Sequence, residues 1–284
     1  MSELDKEKII SFLKNLRLLR ATSFLVMYFF GWFFGWYFSV YDLSYLTLGL
    51  GLIAIFFVWQ FCVSLNDIFD IEIDRISNPD RPYTKGYIDK KKYIIISIIL
   101  GGVSIFIGIF ISLLSMIFII LFIILGYIYS APPTRLRKYI FGTIFIGSGS
   151  ALSYFAGIFS IVPILTMQQL MIGILIFIAL SMGTVVKDYK DYEGDKKAGV
   201  STIFTKYGLE KGTKIASVLL FITFMIPLLL INHIIDIIII VTMAILVVLL
   251  FNLKKIKRKT QITMLLFFID ILYIFLRLIN VIMF

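Results

Sequence analysis

The sequence predicts an all-α integral membrane protein with nine transmembrane helices, arranged as two parallel four-helix pseudo-repeats plus a ninth helix. Three observations carry that expectation. Apolar runs of spanning length recur along the chain, basic residues collect in alternate loops, and only 15% of residues are charged against 60% hydrophobic. Soluble domains carry about 25% charged and 45–50% apolar residues, and a water-soluble fold of this length has too little interior for the excess.

A bilayer core asks for roughly 20 apolar residues per helix. Such runs fall near 21–41, 46–65, 93–112, 114–130, 139–160, 168–186, 214–232, 236–252 and 261–283, the 93–130 stretch being split at Ser112–Ser115. Before the first run, MSELDKEKIISFLKNLRLLR places Ile9, Ile10, Phe12, Leu13 and Leu16 at helical spacing among charges. It reads as an amphipathic interfacial helix, with no signal-peptide cleavage pattern. The single cysteine, Cys62, excludes an intrachain disulfide and reads as a small packed thiol; no Cys/His cluster suits zinc.

Lysine and arginine set the expected orientation. The N-terminal segment and residues 66–92, 131–138, 187–214 and 253–260 hold 26 of the 27 basic residues, and the intervening loops hold none. Only Arg277 remains, inside the last span. The expectation is a cell-membrane protein with its N-terminus and basic loops cytoplasmic and its C-terminus external. The net charge of +10 then serves topology and attraction to anionic lipids, and nucleic acid is not an expected partner.

The acidic residues are equally uneven. Of 17, six lie in 67–89 and four in 188–195. Both groups have the spacing D-x-x-D-x-E-x-D: Asp67, Asp70, Glu72, Asp74, then Asp188, Asp191, Glu193, Asp195, offset by 121 residues. The same offset carries Thr84-Lys85 onto Thr205-Lys206 and Arg137-Lys138 onto Arg258-Lys259. This predicts a duplicated unit, about 17–138 and 139–259, followed by the ninth helix at 261–283, all in one transmembrane domain. Four spans per copy is an even number, so the copies run parallel and both clusters are expected on one membrane side.

Positions i, i+3 and i+7 share one face of a helix, so three carboxylates line one stripe in each motif while Glu72 and Glu193 point elsewhere. Such a stripe is repulsive near a low-dielectric bilayer unless cations occupy it. Oxygen donors without His or Cys suit a hard cation, Mg²⁺ before Ca²⁺. The expected metal ligands are Asn66, Asp67, Asp70 and Asp74 for one ion and Asp188, Asp191 and Asp195 for another, the six aspartates being the expected catalytic groups. The competing reading is aspartates neutralised by nearby lysines and arginines.

Mg²⁺ takes one or two carboxylates and fills its shell with water and substrate phosphates. Two such sites suit a polyprenyl diphosphate whose carbon–oxygen bond ionises as the metals draw charge from the leaving oxygen. No Ser–His–Asp set is present, and the one histidine, His233, falls in an outer loop. Arg17, Arg20, Arg81, Lys85, Arg135 and Lys138 at the cytoplasmic helix ends are candidate phosphate ligands, with Tyr129 and Lys187 beside them. The first span is crowded with aromatics, Tyr28 to Tyr37, which either stabilise a carbocation or simply face lipid. Gly31-x-x-x-Gly35 within it permits close helix approach.

These residues resemble the UbiA-type membrane prenyltransferase superfamily. Its N-D-x-x-D-x-x-x-D and D-x-x-x-D signatures match Asn66–Asp74 and Asp191–Asp195; Arg81-Pro82 and the segment Tyr129-Ser130-Ala131-Pro132-Pro133-Thr134-Arg135 also fit, and the likeness covers nearly the whole chain. NDIFDIEIDRISNPDRP with KDYKDYEGDKKAG is most similar to archaeal members that use geranylgeranyl diphosphate. By resemblance, the acceptor is geranylgeranylglyceryl phosphate, a lipid phosphate, and the product carries the second ether bond of archaeal membrane lipids. Tyr83-Thr84-Lys85-Gly86 departs from the usual Pro-Ser-Gly turn. Chlorophyll synthases share the N-x-P-x-R-P wording, so a quinone precursor or chlorophyllide-like acceptor is the alternative. A CDP-alcohol phosphatidyltransferase would need a D-G-x-x-A-R motif, which is absent. A cation transporter would want carboxylates mid-span, where only Asp270 is expected. No obligate protein partner is expected.

Overall fold

The computed structural model describes residues 3–140, 142–253 and 258–279, and every regular element among them is helical. The α-helices are α1 Glu3–Asn15, α2 Leu18–Tyr37, α3 Tyr45–Phe69, α4 Ile71–Ser77, α5 Lys90–Ile111, α6 Leu113–Ser130, α7 Gly142–Ile158, α8 Met167–Gly183, α9 Lys187–Lys197, α10 Ile203–Met225, α11 Ile234–Asn252 and α12 Lys259–Leu278. Among the described residues, eight helical stretches are long and apolar enough to cross a membrane; α7 is apolar but shorter, at 17 residues. The expected nine spans are therefore present as eight of full length and one short. The end of the expected ninth span, 280–283, and basic residues 254, 255 and 257 lie outside the described residues.

Polar residues start the helices where the hydrophobic pattern alone is silent. Ser44 accepts from the Thr47 amide, Asp89 from Lys92, and Ser112 from Ser115, satisfying first-turn donors of α3, α5 and α6. Ser112 is thus the break expected within the 93–130 run. Thr202 and Thr205 form a reciprocal capping box on α10, and α10 is broken at Gly208, whose φ of 78° suits glycine.

The chain forms two compact units, one of Met1–Arg137 with Ser148–Gly173, the other of Lys138–Gly147 with Ile174–Phe284. In the first, α2 packs backbone to backbone on α7: a Cβ on Gly31 would lie 1.8 Å from the Tyr154 carbonyl oxygen. That is the close approach expected from Gly31-x-x-x-Gly35. Several first-span aromatics are core residues. Tyr28 is fully buried and donates to the Thr47 carbonyl at 2.9 Å, and the Trp32 indole donates to the Ser44 carbonyl at 3.0 Å. Cys62 is a buried thiol against Gly126, as expected.

In the second unit, Phe204, Leu220, Phe224, Val247 and Phe251 form the buried core. Arg277, the basic residue expected inside the last span, meets Asp236 on α11 through Nε at 2.6 Å and a terminal nitrogen at 2.7 Å, and Tyr273 donates to the same carboxylate. Asp270 is buried on α12, its Oδ1 without a hydrogen-bond donor among the described residues. His233 caps α11, accepting from the Ile235 amide at 3.4 Å.

Candidate active site

The first motif does not lie on one continuous helix. α3 ends at Phe69, and Asp70 leaves helical geometry (φ −107°, ψ 16°) before α4 starts at Ile71. The bend parts the expected stripe. Asp67, on α3, and Asp74, on α4, converge on one guanidinium, while Asp70 at the corner turns to a different pair of arginines.

Asp67 is the hub. It accepts from Arg17, from Arg81 at 3.0 Å, from Asn15 at 2.8 Å and from the Tyr93 hydroxyl at 2.9 Å. Arg81 also pairs with Asp74, which accepts from Asn78 at 3.1 Å. Asp70 accepts from Arg135 at 2.8 Å and from Asn66, and pairs with Arg137. The three carboxylates are 1–2% exposed, and each is paired with a guanidinium, the kind of partner that burial of a charged group demands. Burial pushes the Asp74 carboxyl above the usual carboxylate range, with Arg81 pulling it back. Burial first, then the nearby Arg17 charge, lowers the Arg81 pKa.

Two of these arginines are held in an uncommon backbone conformation. Among the described residues, Arg17 (φ 48°) and Arg135 (φ 39°) are the non-glycine residues with positive φ. A left-handed non-glycine residue costs about 1–3 kcal/mol and persists where its surroundings over-determine it. Here the gain is a guanidinium on a buried aspartate in both cases.

The second motif is built differently. From Met167 to Lys197 the chain stays helical, tightening to a 3₁₀ turn at Thr184–Val186 before α9 begins. Asp188, Asp191 and Asp195 therefore share the uninterrupted stripe that the spacing predicts. Asp188 and Asp195 are buried at 8% exposure and Asp191 is exposed. Lys187 pairs with Asp188 at 2.6 Å. Glu72 and Glu193 are exposed, as expected.

Of the expected phosphate ligands, Arg17, Arg81 and Arg135 lie in the first cluster, and Tyr129 is half-buried. Arg20 and Lys138 are exposed. Lys85 is tied elsewhere, to Glu7 at 2.7 Å and Asp80 at 3.3 Å; those hydrogen bonds raise its pKa. It joins α1 to the 78–87 loop, where Ser11 also donates to the Asp80 carbonyl at 2.7 Å. The sequence reading missed Asn15, Asn78, Tyr93 and Arg137. Arg137 had a signal, since it belongs to the repeated basic pair and lies two residues from Arg135. Asn78 had a weaker one, four residues after Asp74. Asn15 and Tyr93 had none, because they meet Asp67 across 52 and 26 residues.

As a metal site, the donor chemistry fits Mg²⁺: carboxylate and amide oxygens without thiol or imidazole. Among the described residues no three acidic, His or Cys side chains converge as a ligand group, because arginines separate the first three aspartates. A cation bound through one or two carboxylates and completed by phosphate oxygens is compatible with that spacing.

Fold and site together define a multi-pass α-helical membrane protein with a buried aspartate–arginine network at its helix ends. Residues 24–276 match the UbiA prenyltransferase family model, and the chain belongs to that family. It is 37% identical over 166 residues to the digeranylgeranylglyceryl phosphate synthase of Methanocaldococcus jannaschii, the match covering 55% of this chain and 53% of the relative. The synthase of the same name from Methanosphaera stadtmanae is 29% identical over 174 residues, covering 61% and 62%. The chain thus spans between half and two thirds of the length of these curated relatives. A UbiA homolog from Archaeoglobus fulgidus, solved bound to GPP and Mg²⁺, has the same fold (TM-score 0.72, 21% identity, covering 95% of this chain and 99% of that one). A structure described for digeranylgeranylglyceryl phosphate synthase gives a TM-score of 0.68 at 26% identity, covering 96% and 98%.

Proposed function

We propose that this protein transfers a geranylgeranyl group from geranylgeranyl diphosphate to the free hydroxyl of geranylgeranylglyceryl phosphate in a Mg²⁺-dependent reaction. The carrying observation is the first carboxylate set, buried at the helix ends and each member held by arginine. Family membership supports the reaction class, and the names of the relatives support the acceptor. The GPP and Mg²⁺ of the Archaeoglobus fulgidus homolog support the donor class and the metal.

On this reading, Asp67, Asp70 and Asp74 with Asn66, and Asp188, Asp191 and Asp195, would hold Mg²⁺. The sequence duplication is the reason for assigning both sets to one diphosphate. Bound Mg²⁺ supplies positive charge to the leaving diphosphate oxygen. Arg17, Arg81, Arg135 and Arg137 pair with the carboxylates and would present N–H donors to phosphate oxygens. The allylic carbon–oxygen bond breaks with its electron pair leaving on diphosphate, and the acceptor hydroxyl oxygen forms the new bond. Its proton passes to diphosphate or to an aspartate. The loops that carry 26 of the 27 basic residues are assigned to the cytoplasmic face, which puts both motifs where phosphorylated substrates are supplied.

Purified protein incubated with labelled geranylgeranyl diphosphate and Mg²⁺ tests this against three acceptors: geranylgeranylglyceryl phosphate, a hydroxybenzoate and chlorophyllide. Transfer to the glycerol ether is expected. Transfer only to an aromatic or macrocyclic acceptor would replace the acceptor assignment, and ion flux in vesicles without transfer would overturn the enzyme reading.

A further inference from the structure

Lys259 opens α12 and is buried, yet among the described residues it pairs with no carboxylate. Its Nζ donates to the Phe251 carbonyl at 3.1 Å. The same nitrogen lies 3.6 Å from the centre of the Tyr189 ring and 5.0 Å from that of Phe251. A buried ammonium is costly, and a leucine or methionine would fill the space without that cost. The contact with Tyr189 lies well inside the reach of a cation–π attraction, which is strongest where water is excluded.

Tyr189 directly follows Asp188 on α9. Its ring packs edge-on against Phe204 and Phe251, with centroids 5.5 and 5.8 Å apart. α9 reads KDYKDYEGDKK, so Tyr189 and Tyr192 are its two aromatic anchors on the core of the second unit. Rotation of this short helix about its axis would move Asp188, Asp191 and Asp195 together, because they form one stripe. The position of the Tyr189 ring therefore sets where the stripe points. In the first unit the equivalent basic pair touches an aspartate directly, through Arg137 on Asp70. In the second it acts through an aromatic ring.

We infer that Lys259 is a positioning residue, its ammonium clamping Tyr189 and so fixing the rotation of α9 and the aim of the second carboxylate set. This rests on the reading above that this set binds Mg²⁺ and diphosphate. Lys259→Met, Lys259→Arg, Tyr189→Leu and Tyr189→Phe in detergent-purified full chain test it by three readouts: amide exchange in 187–197, Mn²⁺ affinity by electron paramagnetic resonance, and Mg²⁺ dependence of turnover.

Lys259→Met and Tyr189→Leu are expected to speed exchange and weaken Mn²⁺ about tenfold, the size a desolvated cation–π contact supplies. The Mg²⁺ concentration for half-maximal rate should rise by the same factor, with kcat little changed. Lys259→Arg and Tyr189→Phe, which keep cation and ring, should match the parent. Lys259→Met with Tyr189→Leu should be no worse than either alone. Unchanged exchange and Mn²⁺ affinity in Lys259→Met, or additive effects in the double variant, would overturn the inference. If Lys259→Met does not fold, equal damage from Tyr189→Phe and Tyr189→Leu would overturn it. A parent that lacks transferase activity while exchange and Mn²⁺ affinity respond as expected would sink the proposed reaction and leave the clamp standing.

Discussion

Asp67, Asp70 and Asp74 lie beneath the guanidinium groups of Arg17, Arg81, Arg135 and Arg137, whereas Asp188 and Asp195 flank an Asp191 that stands exposed. The spacing of the two sets is identical. The difference comes from where each helix changes course. In the first unit the bend falls inside the motif, at Asp70, and divides the carboxylates between two groups of arginines. In the second the 3₁₀ turn falls before the motif, at Thr184–Val186, and leaves the stripe whole. One sequence pattern therefore yields a pre-neutralised anion network in one unit and a more open acidic stripe in the other. In the first, on the proposed function, stability and chemistry would depend on the same ion pairs. In the second they would be separable.

The largest effect that separates the two should come from Asp67→Ala. It leaves Arg17 and Arg81 without their shared carboxylate, and breaking a buried pair from one side costs about 3–5 kcal/mol. A large drop in the thermal midpoint of detergent-solubilised protein is expected together with lost turnover. A midpoint unchanged from the parent would remove the claim that this set is structural as well as functional. Asp70→Ala should behave in the same way, because Arg135, Arg137 and Asn66 all converge on Asp70. Its loss of activity cannot then be read apart from its loss of stability.

Asp191→Asn is the counterpart. An exposed substitution should change stability by no more than about 0.5 kcal/mol, while turnover falls by about a hundredfold or more if the carboxylate serves the leaving diphosphate. Full turnover would exclude Asp191 from the site; strong destabilisation would contradict the contrast between the units. Arg81→Lys should fall between these extremes. A lysine keeps the charge and loses the planar fork that serves Asp67 and Asp74 together. A stability loss of about 1–3 kcal/mol is expected, measured by thermal unfolding with the parent alongside.

The smallest effect is expected at Asp89, whose carboxylate caps α5 by accepting from the Lys92 amide at 2.9 Å. Asp89→Ala should lower the thermal midpoint only slightly, since it removes a single exposed helix cap. The Lys92 backbone hydrogen bond holds the Asp89 pKa below its usual value. Its stabilising contribution is therefore present above the ordinary aspartate pKa of about 4 and is lost as pH falls through the lower folded-state value. The midpoint difference between parent and Asp89→Ala should be constant near neutral pH and close in acid. A difference that widens in acid would show that the cap is not the source.

Much of the architecture was legible along the chain. The helices fall close to the expected spans because lipid and core leave little choice for a run of about 20 apolar residues. Gly31 and Gly35 announced a close packing face that α7 fills. The partners of charged residues were harder to read. Lys85 resembled a phosphate ligand and is instead tied to Glu7 and Asp80. Arg277, lying on the same helix as Asp270, was expected to find its partner on a neighbouring helix, and it meets Asp236 on α11, a residue that no spacing along the chain had singled out. Local spacing says which side chains share a helix face. It does not say which residue of another helix lies opposite.

The sequence by itself determined the all-helical membrane class, the duplicated carboxylate spacing and the family, because each rests on composition or on distances along the chain. Only the tertiary structure decided that Asn15, Arg17, Arg81 and Tyr93 meet at Asp67, that Asp70 breaks its helix, and that Lys259 lies over Tyr189. Those contacts bring together groups separated by up to 78 residues, and no local pattern encodes them. They follow from the need of each buried charge to find a partner once the helices have packed.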